Sequence, residues 1–281
     1  MVRPKLQKYR VVRKVCRRFC FELFEVEARS TQERFFLKLL DRRLATQGLH
    51  VYNFLNTARM SRFLRNEHVV KVRHYGQEGR YFVVLTEVVP YKTLSMFVHE
   101  SFPLELNRVA NIVTCLCRVL RETHLQGVVH GLLNPNCVYI SDDGNTILVD
   151  DFGYGWLAPY FSELDEAEAN YLAYHMAPEM FRTPARIDGR ADIYSLGVLL
   201  LQLLTDQVPF NYLEAPALQS QRITLSLHTL RKTLPNFPPP LEEVILKTLH
   251  PDPERRYQNM KELEAGVQEI SKAPHARSLV D

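Results

Sequence analysis

The sequence predicts an α+β fold in two lobes, a small β-rich N-terminal lobe and a large, mainly helical C-terminal one. Three observations carry this. Residues 9–89 contain five strand-like segments and one helical segment, whereas helical periodicity takes over beyond Pro90. The stretch ADIYSLGVLLLQLL, residues 191–204, is apolar almost all round, which marks a helix at the centre of a lobe. Finally, 281 residues at 46% hydrophobic and 24% charged are enough for a generous core.

Taken in order, Tyr9–Leu39 reads as three strands, VVRKVC, FCFELFEVEA and RFFLKLL, with a turn at Ser30-Thr31-Gln32. A helix is predicted from about Leu49 to Leu64, where Val51, Phe54, Leu55, Ala58 and Met60 recur at helical spacing. Val69–Tyr75 and Tyr81–Val89 read as two further strands around a turn at Gly76-Gln77-Glu78-Gly79. Val88-Val89-Pro90 is the natural hinge. The boundaries are therefore 1–89 for the first lobe, 90–272 for the second and 273–281 for a polar tail. In the second lobe a long amphipathic helix is expected over Leu104–Gln126, a short strand pair within Val128–Gly153, and last helices over Leu241–Leu249 and Met260–Ile270.

A formal charge of +3 is too small to imply a nucleic-acid partner. Its basic residues are uneven, with Arg3, Lys5, Lys8, Arg10, Arg13, Lys14, Arg17 and Arg18 near the N-terminus. They read as a solvated strand edge, or as a surface for an acidic partner. Cys115 and Cys117 point to different faces of a helix, and Cys16 and Cys20 have no second pair nearby, so no zinc site is expected. Reduced thiols, no signal peptide and no spanning apolar run make the expected location cytoplasmic, without membrane insertion.

The stretch Val128–Gly153 reads VVHGLLNPNCVYISDDGNTILVDDFG. It ends in Asp151-Phe152-Gly153 and begins with the outline of a His-Arg-Asp-Leu-x-x-x-Asn loop. Asp151 has a bland role available as the residue that caps this turn, and with Asp150 it also reads as a solvated acidic pair. Lys38, Ala177-Pro178-Glu179, Asp192 and Arg256 stand at workable spacings around the stretch. On these ordered markers the chain resembles the protein kinase family over roughly Tyr9 to Ile270, with a Ser/Thr-kinase flavour in GRADIYSLGVLLLQLLTDQVPF. The resemblance implies a bilobal protein kinase-like fold. It also implies that Arg256 pairs with Glu179, that Asp192 and His130 support the catalytic loop, and that Phe152 and Gly153 keep structural roles.

Several chemical groups of the family are replaced. Cys16, Arg18 and Phe21 stand at the glycine-rich positions, with Leu23 for the valine. Thr57, or Asn56 if the register slips by one, falls where the helical Glu partner of Lys38 belongs, Leu132 where the proton acceptor belongs, Asn134 where a lysine steadies the phosphate, and Cys137 where the second metal ligand belongs. Gly131 replaces the arginine that reads loop phosphorylation. Leu172 replaces a Thr that contacts the base, so the resemblance implies that Leu132 and Leu172 would touch as an apolar pair in its place.

Leu23, Phe36, Lys38, Thr86, Tyr139 and Asp151 would line the nucleotide pocket, with Phe36 and Tyr139 filling the adenine slot. The expectation is a pseudokinase: a catalytically inactive, non-enzymatic domain that scaffolds or regulates an unidentified protein partner. No cofactor and no metal are expected, Asp151 being the one candidate ligand for magnesium and ATP binding being weak or absent. The alternative is an ATP-binding protein with weak or atypical Ser/Thr kinase activity through Lys38 and Asp151.

Overall fold

Alternation along the first strands decides which side chains meet the core. A computed structural model describes residues 4–18, 20–163, 166–181, 187–206 and 238–272. It divides into two compact units, Met1–Pro90 and Tyr91–Asp281. The chain has the bilobal α+β architecture, with a β-rich N-terminal region and a helical C-terminal one.

In the first unit, β1 (Tyr9–Arg18), β2 (Phe21–Ala28), β3 (Arg34–Leu40), β4 (Val72–Glu78) and β5 (Tyr81–Glu87) form one antiparallel sheet in the order β1-β2-β3-β5-β4. Helix α1 (Gly48–Phe63) links β3 to β4. Phe24, Val26, Leu37, Leu39, Val83 and Leu85 project to one face and pack with Leu6 and Tyr81. Each such side chain contributes about 1.5–3 kcal/mol on burial.

The β4–β5 turn is tighter than the sequence suggests. Strand β4 continues through Gly76, Gln77 and Glu78, and Glu78 pairs with Tyr81, leaving Gly79-Arg80 as a two-residue turn. Gly79 takes φ +60° there, the left-handed value that a glycine-first hairpin requires. Glu78 also has work inside the sheet edge: its Oε1 accepts from the amides of Gln7 and Lys8 at 3.0 and 2.8 Å.

The basic N-terminal strand is an edge, and acids of β2, with Asp41 just after β3, match four of its charges. Arg10 meets Glu27 at 2.8 Å, Arg13 meets Glu25 at 2.7 Å, Lys14 meets Glu22 at 2.5 Å and Arg17 meets Asp41 at 3.1 Å. Exposed pairs of this kind contribute about 0–1 kcal/mol each, yet they offset much of the positive patch.

The second unit opens with β6 (Lys92–Thr93), α2 (Leu94–Ser101) and α3 (Leu106–Leu125). Strands β7 (Val138–Ile140) and β8 (Ile147–Val149) complete a three-stranded sheet, β6-β7-β8. Then follow α4 (Glu166–His175), α5 (Gly189–Thr205), α6 (Pro239–Thr248) and α7 (Met260–Lys272). Asp188 caps α5 by accepting from the Arg190 amide at 2.9 Å. Helix α5 has no solvent face over most of its length: Ala191 through Leu201 is buried without a break, as an all-round apolar sequence demands. Glu264 on α7 takes Arg118 and Arg121 of α3 at 2.7 and 3.1 Å, fastening those helices.

Helices α2 and α4 are not legible in the sequence. Each is short, and neither shows the clear apolar stripe of α3. The polar tail falls outside the described residues. Among the described residues no helix is long and apolar enough to cross a membrane.

Candidate active site

Strand register gathers the first-unit residues. Lys38 pairs with Leu23 on β2 and Val84 on β5, and Phe36 pairs with Glu25 and Thr86. Residues two apart share a face, so Leu23, Phe36, Lys38 and Thr86 all lie on the face opposite the apolar core. Lys38 is only 3% exposed, which sets aside a lysine reaching out to water. Its Nζ stands 5.6 Å from the centroid of the Phe21 ring, a cation–π contact that suits a desolvated ammonium. The ring belongs to one of the residues at the glycine-rich positions. Cys16 pairs with Leu23 and Arg18 with Phe21, so these positions are built into the hairpin ladder. Thr57 is buried on α1, and its hydroxyl donates to the Asn53 carbonyl at 2.8 Å within the same helix.

In the second unit, the loop after α3 is held from below by one carboxylate. Asp192 accepts from the amides of His130 and Gly131 at 2.8 and 2.7 Å, and His124 Nε2 lies 2.8 Å from its Oδ2. Three partners make the buried acid a rigid anchor. His130 is itself buried. Its Nδ1 accepts from the Leu132 amide at 3.3 Å, so Nε2 carries the proton and donates to the Asp150 carbonyl at 2.9 Å. Burial holds its pKa below the ordinary histidine value, and its ring lies 4.7 Å from that of Phe152.

Leu132, at the proton-acceptor position, is fully buried. The neighbouring polar groups turn inward onto its backbone. Asn134 Nδ2 donates to the Leu132 carbonyl at 2.8 Å and lies 3.1 Å from Cys137 Sγ. The thiol in turn reaches the same carbonyl at 3.7 Å, and Asn134 Oδ1 accepts from the Asn136 amide at 3.0 Å. An asparagine and a cysteine have thus become struts of the loop.

Asp151 follows β8 and adopts φ +61°, a left-handed conformation that costs a non-glycine residue about 1–2 kcal/mol. The Asp151 amide donates to Asp150 Oδ1 at 2.8 Å, and Gly153 N donates to the His130 carbonyl at 2.8 Å. Asp150 thus bonds the amide that opens this turn. The sequence suggests a solvated acidic pair, whereas both acids are buried. Adjacent acids look alike in a sequence; only the turn geometry separates them. Tyr139, on β7, is also buried.

Further along, Arg256 forms a bidentate pair with Glu179, Nη1 to Oε1 at 2.7 Å and Nη2 to Oε2 at 2.8 Å. Its remaining donors reach the carbonyls of His250, Arg190 and Pro251, and its guanidinium lies 5.0 Å from the Tyr194 ring. Such full satisfaction is what a buried guanidinium needs. Leu172 on α4 is fully buried. Its neighbour Tyr171 accepts from Asn136 Nδ2 at 3.3 Å, a tie between α4 and the loop.

The arrangement of His130, Asp151-Phe152-Gly153, Glu179, Asp192 and Arg256 coincides with a family match: the protein kinase domain model covers residues 22–267. The chain belongs to the protein kinase domain family. It is similar to the serine/threonine-protein kinase Pkn1 of Myxococcus xanthus, 29% identical over 293 residues that take in 99% of this chain and 40% of that protein. It is likewise 25% identical over 234 residues to the serine/threonine-protein kinase PrkC of Bacillus subtilis, covering 82% of this chain and 35% of the relative. The chain therefore spans two fifths or less of the length of these curated relatives. The crystal structure of the PknI kinase domain of Mycobacterium tuberculosis shares the fold, with a TM-score of 0.75 at 22% identity over 96% of this chain and 98% of that one.

These relatives overturn one expectation. The substituted loop led to a domain that is not an enzyme, yet the kinase-named relatives at 25–29% identity extend over most of the kinase domain and point to an enzyme. The expectation of inactivity rested on the joint loss of the proton acceptor at Leu132, the lysine at Asn134 and the metal ligand at Cys137, taken to act as a unit. Positioning and charge neutralisation carry most of phosphoryl transfer, and a base contributes about 10²–10⁴-fold.

The donor set bears on magnesium. Asp151 offers the hard oxygen that this ion prefers, whereas Cys137 offers a thiol already directed at a carbonyl. The residues therefore suit one ion held through Asp151, and no group of three or more His, Cys, Asp or Glu side chains is placed to hold a metal among the described residues.

Proposed function

We propose that this kinase domain is an atypical Ser/Thr phosphotransferase that works on a protein partner, with ATP as phosphoryl donor and Lys38 and Asp151 as its retained chemical groups. The observation that supports it most is the survival of both groups, each held by local structure: Lys38 buried in β3 against Phe21, and Asp151 in a capped left-handed turn. Lys38 would neutralise phosphate oxygens, and Asp151 would hold a single magnesium. Magnesium, when bound, spreads the charge that develops on the transferred group. The acceptor hydroxyl attacks the γ-phosphorus as the bond to the ADP oxygen breaks. With Leu132 in the acceptor's place, the hydroxyl proton passes to water or to a phosphate oxygen. That makes transfer slow, by about 10²–10⁴-fold relative to a kinase with a carboxylate there.

The partner is a protein, and holding it is part of the same reading, because slow chemistry profits from a long-lived complex. A cytoplasmic setting fits an ATP-dependent role. The test is transfer of radiolabel from γ-labelled ATP with magnesium to the protein itself and to a generic basic substrate protein. Label that falls at least about tenfold in Lys38→Ala and in Asp151→Ala supports the proposal. Label indifferent to both substitutions, or no label above a blank without protein, rules it out.

A further inference from the structure

Two glycines that take no part in the proposed chemistry meet backbone to backbone. Gly131 has φ +75°, and a Cβ built on it would stand 3.1 Å from both the Cα and the N of Gly155. Backbone cannot swing aside as a side-chain tip can, so a side chain at 131 requires the facing Gly155 backbone to give by a few tenths of an ångström. From the other side, a Cβ on Gly155 would lie 3.0 Å from Met180 Cε and 3.4 Å from the Gly131 Cα and carbonyl oxygen. Next to this contact the Gly153 amide donates to the His130 carbonyl at 2.8 Å. The Gly131 amide is meanwhile fixed on Asp192 at 2.7 Å. Tyr154, Leu157 and Ala158, just beyond, are buried.

We infer that the Gly131–Gly155 contact is a steric latch that holds the segment Tyr154–Glu163 on the loop in one conformation, with no phosphate or other modification required. The latch reads size, not charge. The inference is independent of the phosphotransfer reading, since neither Lys38 nor Asp151 takes part in it.

Hydrogen exchange of the amides of 154–163, read by mass spectrometry, tests this against a matched control. Gly127 has φ +76°, almost the value at Gly131, yet a Cβ there would meet nothing within 4 Å. Gly127→Ala therefore carries the left-handed strain alone, and Gly131→Ala carries the strain plus the contact. Exchange in 154–163 is expected to speed up by about tenfold or more in Gly131→Ala and to stay near wild type in Gly127→Ala. Equal exchange in the two variants would overturn the latch. If Gly131→Ala yields no folded protein, exchange of the 154–163 amides in the unmutated protein decides. Protection comparable to that of the buried helix α5 supports the latch, and exchange as fast as that of exposed, unbonded amides overturns it. Phosphatase treatment of the unmutated protein is expected to leave protection unchanged, and its loss would sink the claim that no phosphate is needed.

Discussion

At the scale of single residues, the most telling position is Leu132. It is fully buried, and its carbonyl is the hub for Asn134 and Cys137. Restoring a carboxylate there is therefore not a simple repair. Leu132→Asp buries a carboxyl group at a position with no exposure, at a cost of about 2–7 kcal/mol where it finds no hydrogen-bond partner. The expected outcome is a melting temperature lowered by several degrees, with no gain in label transfer. An unshifted melt would show that the loop can present this position to water. The buried Lys38 teaches a related lesson. Its strand position was readable from FFLK, but the aromatic ring beneath it comes from a residue seventeen places earlier, through the β2–β3 register.

At the scale of elements, local signals explain where helices start. Asp188 stands before Gly189 and accepts from the Arg190 amide, and Arg190 grips the same carboxylate through its guanidinium at 2.9 Å. These bonds hold the Asp188 carboxyl below the usual carboxylate range, although burial opposes them. Asp188→Ala is expected to cost about 0.5–2 kcal/mol, measured by denaturant melts. A loss near zero would mean that burial of α5 alone sets its start. The long elements were visible because their periodicity is strong: α3 and the all-apolar α5 fall where the sequence places them, within two residues. Helices α2 and α4 escaped because eight to ten residues give a weak pattern, and packing determines their state.

At the scale of the molecule, buried histidines link stability to pH. His130 and His175 are both fully buried, and desolvation lowers the pKa of each below 6.5. His175 Nδ1 donates to the Tyr171 carbonyl at 3.0 Å and Nε2 lies 3.0 Å from Gln202 Oε1; these acceptors favour the protonated ring, and burial outweighs them. When the chain unfolds, both rings take up protons near 6.5. The stability they contribute is whole above that pH and is lost as pH falls toward the depressed folded values, by at most about 1.4 kcal/mol per pH unit for each ring. Melting temperatures should therefore be flat from about pH 8 to about 7 and decline below about 6.5. His175→Gln is expected to make that decline shallower; an unchanged slope would place the titration elsewhere.

The sequence by itself determined the fold class, the order of the strands and long helices, and the family, because periodicity and ordered motifs are local and survive substitution. It also placed the Glu179–Arg256 pair, since each residue sits inside its own recognisable motif. Only the tertiary structure decided that Asp150 and Asp151 are buried, that Asn134 and Cys137 brace the loop, and that Gly131 rests on Gly155. Those outcomes depend on side-chain direction and, for the two glycines, on how closely distant stretches of backbone approach, quantities that residue type alone does not encode.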